Sequence, residues 1–251
     1  AAAGFHNLLI TGPPGTGKTT TLIHGVKALL KDRKKQILVV APSNTAIDLL
    51  TERLDALGVN VVRIGNPVRV SDHLLNLTLD AKVNNHTANK EVKNLEKQAR
   101  AYQDTAHKYK RSFGRAEREQ RKALFDEAKK IRKEIDKIQD YVVDDVLDKA
   151  EVITATLVGS NHFSIRNRRY ETIIIDEAAQ ALEPACWVAI LKGDHVILAG
   201  DHLQLPPTVK STKDSSKGLY VTLFEKLIGQ YPACVSVLDV QYRMNKAIMH
   251  Y

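Results

Sequence analysis

Apolar positions fall into two kinds of run along this chain. Residues 8–10, 37–41, 61–64, 152–156, 172–175 and 196–199 are short, nearly unbroken apolar stretches. That pattern predicts parallel strands covered on both faces, where polar alternation is not needed. Between them apolar residues recur every three or four positions. Leu22, Ile23, Val26, Leu29 and Leu30 predict a helix over about 20–30, and Ala46, Ile47, Leu50, Leu54 and Leu57 one over about 45–57. Asn44 can cap the second and Gly58 can stop it. Helices are also predicted over 178–191 and 219–228, then a strand over 235–240. Strands alternating with helices give an α/β domain with a doubly wound parallel sheet, whose ligands bind at the C-terminal ends of the strands.

Residues 84–149 break this rhythm, with Gly114 as their one glycine, no proline and many charges. Val92, Leu95, Ala99, Tyr102, Ala106, Tyr109 and Phe113 alternate in spacings of three and four, as do Leu124, Ala128, Ile131, Ile135, Ile138 and Val142. Each set is a narrow heptad seam on a long helix, and 112–115 offers a turn between them. The expected organisation is residues 1–83 and 150–251 forming the α/β domain, with 84–149 an inserted antiparallel helical hairpin projecting from it. The hairpin's interleaved Lys, Arg, Glu and Asp read as a solvated face in preference to a nucleic-acid groove. Tyr102 and Tyr109 read as seam residues in preference to base-stacking platforms.

Composition adds little and excludes some classes. The 251 residues carry a formal net charge of +8, which permits a polyanionic partner without requiring one. No apolar run reaches membrane-spanning length, so no membrane partner is expected. Cys186 and Cys234 lack metal-like spacing and read as core thiols of a reducing, intracellular compartment: the cytoplasm, or the nucleus in a eukaryote. The first strand lies close to the N-terminus and 248–251 read as part of a helix, so a piece of a longer protein is expected.

The chemistry sits where strands end. Gly12-Pro13-Pro14-Gly15-Thr16-Gly17-Lys18-Thr19, followed by Thr20, fits the phosphate-binding pattern G-x-x-x-x-G-K-[ST] between a strand and a helix. Glycines let the backbone wrap a phosphate, the helix N-terminus faces the anion, Lys18 neutralises β- and γ-phosphates and Thr19 can ligate Mg²⁺. The strand at 172–175 ends in Asp176-Glu177. Acids also favour a first helical turn. Behind a strand, and beside a phosphate loop, they read as a Walker B pair, Asp176 holding Mg²⁺ and Glu177 orienting or deprotonating water. Gln204 follows another strand, where an amide could contact a γ-phosphate or the lytic water. Pro42, Ser43 and Asn44 end one strand, and Thr154 to Thr156 end another. These polar groups are equally suited to capping and to sugar-phosphate contact. Tyr242 and Arg243 could stack on a base and reach a phosphate, although residue chemistry alone favours a half-buried Tyr and a surface Arg.

Taken in order, GPPGTGKT, APSNTAID, ITATL, IIIDEAAQALEP, GDHLQLPP and VQYRM resemble the motifs of superfamily 1B helicases. The subgroup is the up-frameshift-like one, which includes the immunoglobulin-mu-binding-protein helicase and the polymerase-alpha-associated DNA helicase A, and the QALEPACW stretch leans toward these two. The resemblance implies the first of two RecA-like domains that close on ATP, the helical hairpin being an insertion in it. It implies that Gly15, Gly17, Lys18 and Thr19 bind the triphosphate, Asp176 and Glu177 handle Mg²⁺ and water, and Gln204 senses the γ-phosphate. Tyr242 lies against the adenine, Arg243 reaches the γ-phosphate, and Ser43, Asn44, Thr154 and Thr156 touch the nucleic-acid backbone. The expected partners are single-stranded DNA or RNA, tracked 5′ to 3′, and the protein's own second motor domain, in a monomer.

The family's adenine-reading glutamine motif, its upstream β-barrel and its second motor domain are not among these residues. The piece alone is therefore expected to bind nucleotide weakly and not to unwind. Two alternatives stand beside the helicase. One is an ATPase that remodels protein–nucleic-acid complexes without unwinding. The other is a P-loop kinase or nucleotide switch, for which neither an acceptor site nor a lid is visible.

Overall fold

The computed structural model describes residues 7–32, 36–108, 114–208 and 220–245. In chain order the elements are β1 (Asn7–Thr11), α1 (Lys18–Asp32), β2 (Ile37–Ala41), α2 (Asn44–Ala56) and β3 (Val61–Ile64). Next come α3 (Leu79–Asn84), α4 (Asn89–His107) and α5 (Arg115–Lys149), then β4 (Val152–Thr156), β5 (Tyr170–Ile175), α6 (Glu183–Ile190), β6 (Gly193–Gly200), α7 (Leu223–Gln230) and β7 (Val235–Val237). The chain divides into two compact units, residues 1–78 with 149–251, and residues 79–148.

The larger unit is built on a seven-stranded sheet of order β3-β4-β2-β5-β6-β1-β7, every pair parallel. Its strands read as apolar runs because both faces are covered. All five residues of β2 are buried. On one face Leu22, Ile23 and Val26 of α1 join Ile47, Leu50 and Leu54 of α2 over Ile37, Val39, Ala41 and Ile174 in one core cluster. Leu38, Val40, Ile173 and Ile175 alternate with these and are also buried. α6 packs on β5 and β6, and α7 on β1, burying Cys186, Ala189, Leu223 and Phe224.

Several predicted elements differ in extent, among them the helix expected over 219–228, which starts only at Leu223, after the Thr222 cap whose hydroxyl accepts from Glu225 N–H at 3.2 Å, and runs to Gln230. The helix expected over 178–191 is broken: Ala178–Gln180 form a single 3-10 turn and α6 starts at Glu183. Pro184 explains the break, since it has no N–H to donate and is tolerated only in a first turn. The strand expected over 235–240 ends at Val237. α2 is capped by Ser43, whose Oγ accepts from the Ala46 N–H at 3.1 Å, while Asn44 is already helical. Cys234 is only half-buried, in contrast to Cys186. The helix expected over 248–251 lies outside the described residues.

In the smaller unit α4 and α5 run antiparallel. The Arg132 guanidinium donates to the Gln103 amide oxygen at 2.9 Å, and the rings of His107 and Phe125 meet edge-on with centroids 5.4 Å apart. Val92, Ala99 and Ala106 of α4 and Ala128, Ile135 and Val142 of α5 are buried at heptad spacing. Tyr102 is not a seam residue: it is 39% exposed, its polar tip keeping it at the margin while Ala99 and Ala106 fill the contact. Tyr109 and Phe113 lie outside the described residues. Among the described residues no helix is long and apolar enough to cross a membrane.

Candidate active site

Strand order decides which tips meet. β5, β6 and β1 are consecutive in the sheet, so the segments after them share one part of its C-terminal edge. The segment after β1 bends through Gly15 and Gly17, at φ 85° and 82°, a region that a Cβ penalises. The Thr16 hydroxyl donates to the Pro13 carbonyl at 2.8 Å, and Thr21 N–H to the Gly17 carbonyl at 2.8 Å, which launches α1 directly from the loop. The first N–H groups of α1 have no acceptor within the helix. They belong to the residues that line a cavity of about 650 Å³, a volume in the range of small-molecule sites.

Four strand tips supply that cavity. From the loop after β1, the Lys18 ammonium donates to the carbonyls of Gly12 and Pro13 at 2.6 and 3.0 Å. Burial lowers its pKa, opposed by the carboxylates of Asp201 and Asp176. The Thr19 hydroxyl donates to Asp176 Oδ2 at 3.1 Å, joining the β1 loop to the end of β5. Asp176 is buried, and desolvation raises its pKa against hydrogen bonds from Glu177 N–H and Thr19. Glu177 occupies the left-handed region at φ 54°, alone among the described non-glycine residues. This turn aims its N–H back onto Asp176 Oδ1 at 2.9 Å and leaves its side chain at the cavity wall. Its pKa is raised by burial and by the neighbouring Asp176 charge.

After β6, Asp201 and Gln204 line the cavity. Gln204 Nε2 donates to Asp201 Oδ2 at 3.1 Å, so its amide is held by a buried carboxylate. After β7, Leu238 N–H donates to the Thr11 carbonyl at 2.8 Å and Tyr242 N–H to the Gly15 carbonyl at 2.9 Å. These bonds lay the 238–243 segment on the phosphate-type loop and bring Tyr242 and Arg243 to the cavity. The predicted Lys18, Thr19, Thr20, Asp176, Glu177, Gln204, Tyr242 and Arg243 are thus brought together, with Gly15 and Gly17. Gly12 backs the loop: a Cβ there would come within 2.6 Å of the Leu238 carbonyl oxygen.

Several cavity residues carry no sequence signal that singled them out. Arg53 of α2 donates to the Thr20 hydroxyl at 3.3 Å and lines the cavity with Leu49, one helical turn away. Asp201 was visible only as part of the Gly200–Pro207 stretch. Its position directly behind a strand, like that of Asp176, was the available clue.

A second group gathers at the tips of β2 and β4, which adjoin at the other part of the sheet edge. Ser43 is exposed, and Pro42, Asn44 and Thr156 are half-exposed. Thr154 is a correction. It is fully buried, and its hydroxyl pairs with that of Thr51 on α2 at 2.8 Å. It lies two residues short of the strand's end, under α2, and offers nothing to a surface ligand.

The chain matches the family described as the AAA domain over residues 2–212. It is 33% identical, over 97% of its length, to an uncharacterized ATP-dependent helicase of Methanocaldococcus jannaschii, and covers 41% of that protein. It is 35% identical over 96% of its length to the DNA polymerase alpha-associated DNA helicase A of Schizosaccharomyces pombe, covering 35% of it. To the DNA-binding protein SMUBP-2 of Mesocricetus auratus it is 35% identical over 96% of its length, covering 24%. The chain therefore spans less than half the length of these relatives.

Proposed function

From the premise that this chain belongs to the AAA domain family, with ATP-dependent helicases among its relatives, we propose that it is the first motor domain of a superfamily 1B helicase. It couples ATP hydrolysis to 5′–3′ movement on single-stranded DNA or RNA. The observation that carries this reading is the convergence of Lys18, Thr19, Asp176, Glu177, Gln204 and Arg243, from four strand tips, on one cavity.

ATP is the substrate. The loop backbone and the N-terminus of α1 cradle its phosphates, Lys18 and Arg243 offset their charge, and Tyr242 lies against the adenine. Thr19 Oγ1 and Asp176 Oδ2 are hard oxygen donors 3.1 Å apart, a donor set that would hold Mg²⁺, and the ion would supply positive charge to offset that of the phosphates. Glu177 accepts a proton from water as the water oxygen attacks the γ-phosphorus and the bond to the β-phosphate oxygen breaks. Its raised pKa makes it a better base than an ordinary carboxylate. Gln204, whose amide donates to Asp201, registers whether a γ-phosphate is present. Pro42, Ser43, Asn44 and Thr156 at the β2 and β4 tips hold the strand by its backbone, which makes binding salt-sensitive and nearly indifferent to sequence. The protein's second motor domain closes on the same nucleotide, and ATP favours closure only to the extent that it contacts both sides. The working unit is a monomer.

Strand displacement by the full-length protein tests this directly. DNA duplexes carrying a 5′ single-stranded overhang should be unwound with ATP, and those with only a 3′ overhang should not. Unwinding from the 3′ overhang alone would reverse the polarity. Stimulated ATP turnover with no displacement from either would leave an ATPase that remodels complexes.

A further inference from the structure

β3 holds a residue that an apolar strand does not call for. Arg63 lies between Val62 and Ile64, and its side chain is 0% exposed. A buried guanidinium must find acceptors for its donors, and Arg63 finds three. Nε donates to Asp48 Oδ1 at 3.1 Å, Nη1 to the Ile64 carbonyl, and Nη2 to Asn44 Oδ1 at 3.0 Å. The second oxygen of Asp48 accepts from the Ser71 N–H and hydroxyl at 3.0 and 2.9 Å, which fixes the carboxylate in turn.

The consequence falls on Asn44. A guanidinium has donors and no acceptor, so the end of the amide that faces it must be oxygen. The amide nitrogen, with two N–H donors, is thereby turned to the half-exposed side at the tip of β2. Ser43 and Thr156 follow the same polarity. Ser43 Oγ accepts from Ala46 N–H at 3.1 Å, and Thr156 Oγ1 from Gly159 N–H at 3.0 Å, so each hydroxyl keeps its proton to give outward. The register of β2 with β4 pairs Ala41 with Thr156, which sets the three side chains on adjoining tips.

We propose that Arg63 is a positioning residue for single-strand binding. By holding Asn44 with its donor end outward, it makes the β2 and β4 tips a donor-rich surface that takes the phosphate oxygens of a nucleic-acid backbone. This rests on the motor reading above and adds the residue that sets the surface's polarity. It also explains why a buried charge is tolerated in a strand where an apolar residue of similar volume would pack as well.

The test is binding of fluorescein-labelled twenty-nucleotide oligo-dT and oligo-U to the full-length protein, read by anisotropy, with thermal melts alongside. Arg63→Lys keeps a cation for Asp48 and frees the Asn44 amide to flip; it should weaken binding about tenfold, on the scale of one charge-assisted hydrogen bond. Asn44→Ala should weaken it similarly, and the double variant should be no worse than either alone, since both remove one contact. Asn44→Asp retains the bond from Arg63, and the fold, but turns an acceptor outward; it should bind at least tenfold more weakly at an unchanged or higher Tm. Losses that multiply in the double variant overturn the proposal. If Arg63→Lys does not fold, Asn44→Asp decides: binding equal to the wild type overturns it. A wild-type protein that binds neither oligonucleotide removes the motor reading itself, whereas a binding wild type with indifferent variants removes only the role of Arg63.

Discussion

Asp176 and Glu177 carry their charges at a cost to stability that has a measurable sign. Burial holds both carboxyls above their ordinary pKa values. Between the ordinary and the folded value the folded chain retains protons that the unfolded chain releases, so stability falls as pH rises through that window and stays lower at neutrality. Asp176→Asn removes the penalty. We expect it to raise Tm, while ATP turnover is lost. Thermal melts beside phosphate-release assays check both halves. Turnover in the wild type should fall on the acid side with a midpoint above the ordinary Glu value, and Glu177→Gln should cut turnover roughly 10²–10⁴-fold, the usual contribution of a positioned base. The motif residues were legible because phosphate chemistry restricts both residue type and spacing. Arg53 was not, because a single arginine on a helix carries no pattern until α1 and α2 are seen side by side. Thr154 misled because a strand's sequence does not say how far from its tip the surface begins.

At the scale of elements, the loop after β1 is shaped by a segment far along the chain. Gly15 combines φ 85° with an approach in which a Cβ would stand 2.7 Å from Arg243 Cβ. Gly15→Ala should therefore displace the 241–243 segment and weaken nucleotide binding at least tenfold, measured with a fluorescent ATP analogue. In the smaller unit, Ile135 is buried in the heptad seam, and Ile135→Ala should cost about 2–5 kcal/mol locally, visible as an earlier loss of helical circular dichroism. The strands of the parallel sheet and the two seam helices were legible because buried runs and heptads are long-range patterns that few sequences mimic. The broken helix at Pro184 and the short β7 were not, because helix periodicity and apolar runs continue past the point where a missing N–H, or the end of the partner strand β1 at Thr11, ends the element. The 3-10 turns between β3 and α3 carry no period at all.

At the scale of the larger unit, one sheet edge holds two surfaces, and strand order separates them. The tips of β5, β6, β1 and β7 hold the proposed nucleotide cavity, and those of β4 and β2 the proposed donor-rich surface. α2 belongs to both: Ser43 caps its N-terminus, while Leu49 and Arg53 line the cavity. One helix thus reaches from the proposed strand-binding surface to the proposed hydrolysis site, a physical route by which binding at one can bias the other. The family membership agrees with the resemblance carried by the ordered motifs, and those motifs are the segments that the sheet gathers at its edge. The sequence did not show this division, since tips adjacent in space lie far apart along the chain, Thr11 beside Val237 being the extreme case. The chain is proposed to be part of a nucleic-acid-driven ATPase motor. ATP turnover by the full-length protein, with and without single-stranded DNA or RNA, tests it most directly. Turnover should rise at least tenfold with a strand present and fall at least a hundredfold in Glu177→Gln. Turnover indifferent to both strands, or preserved in Glu177→Gln, would contradict it.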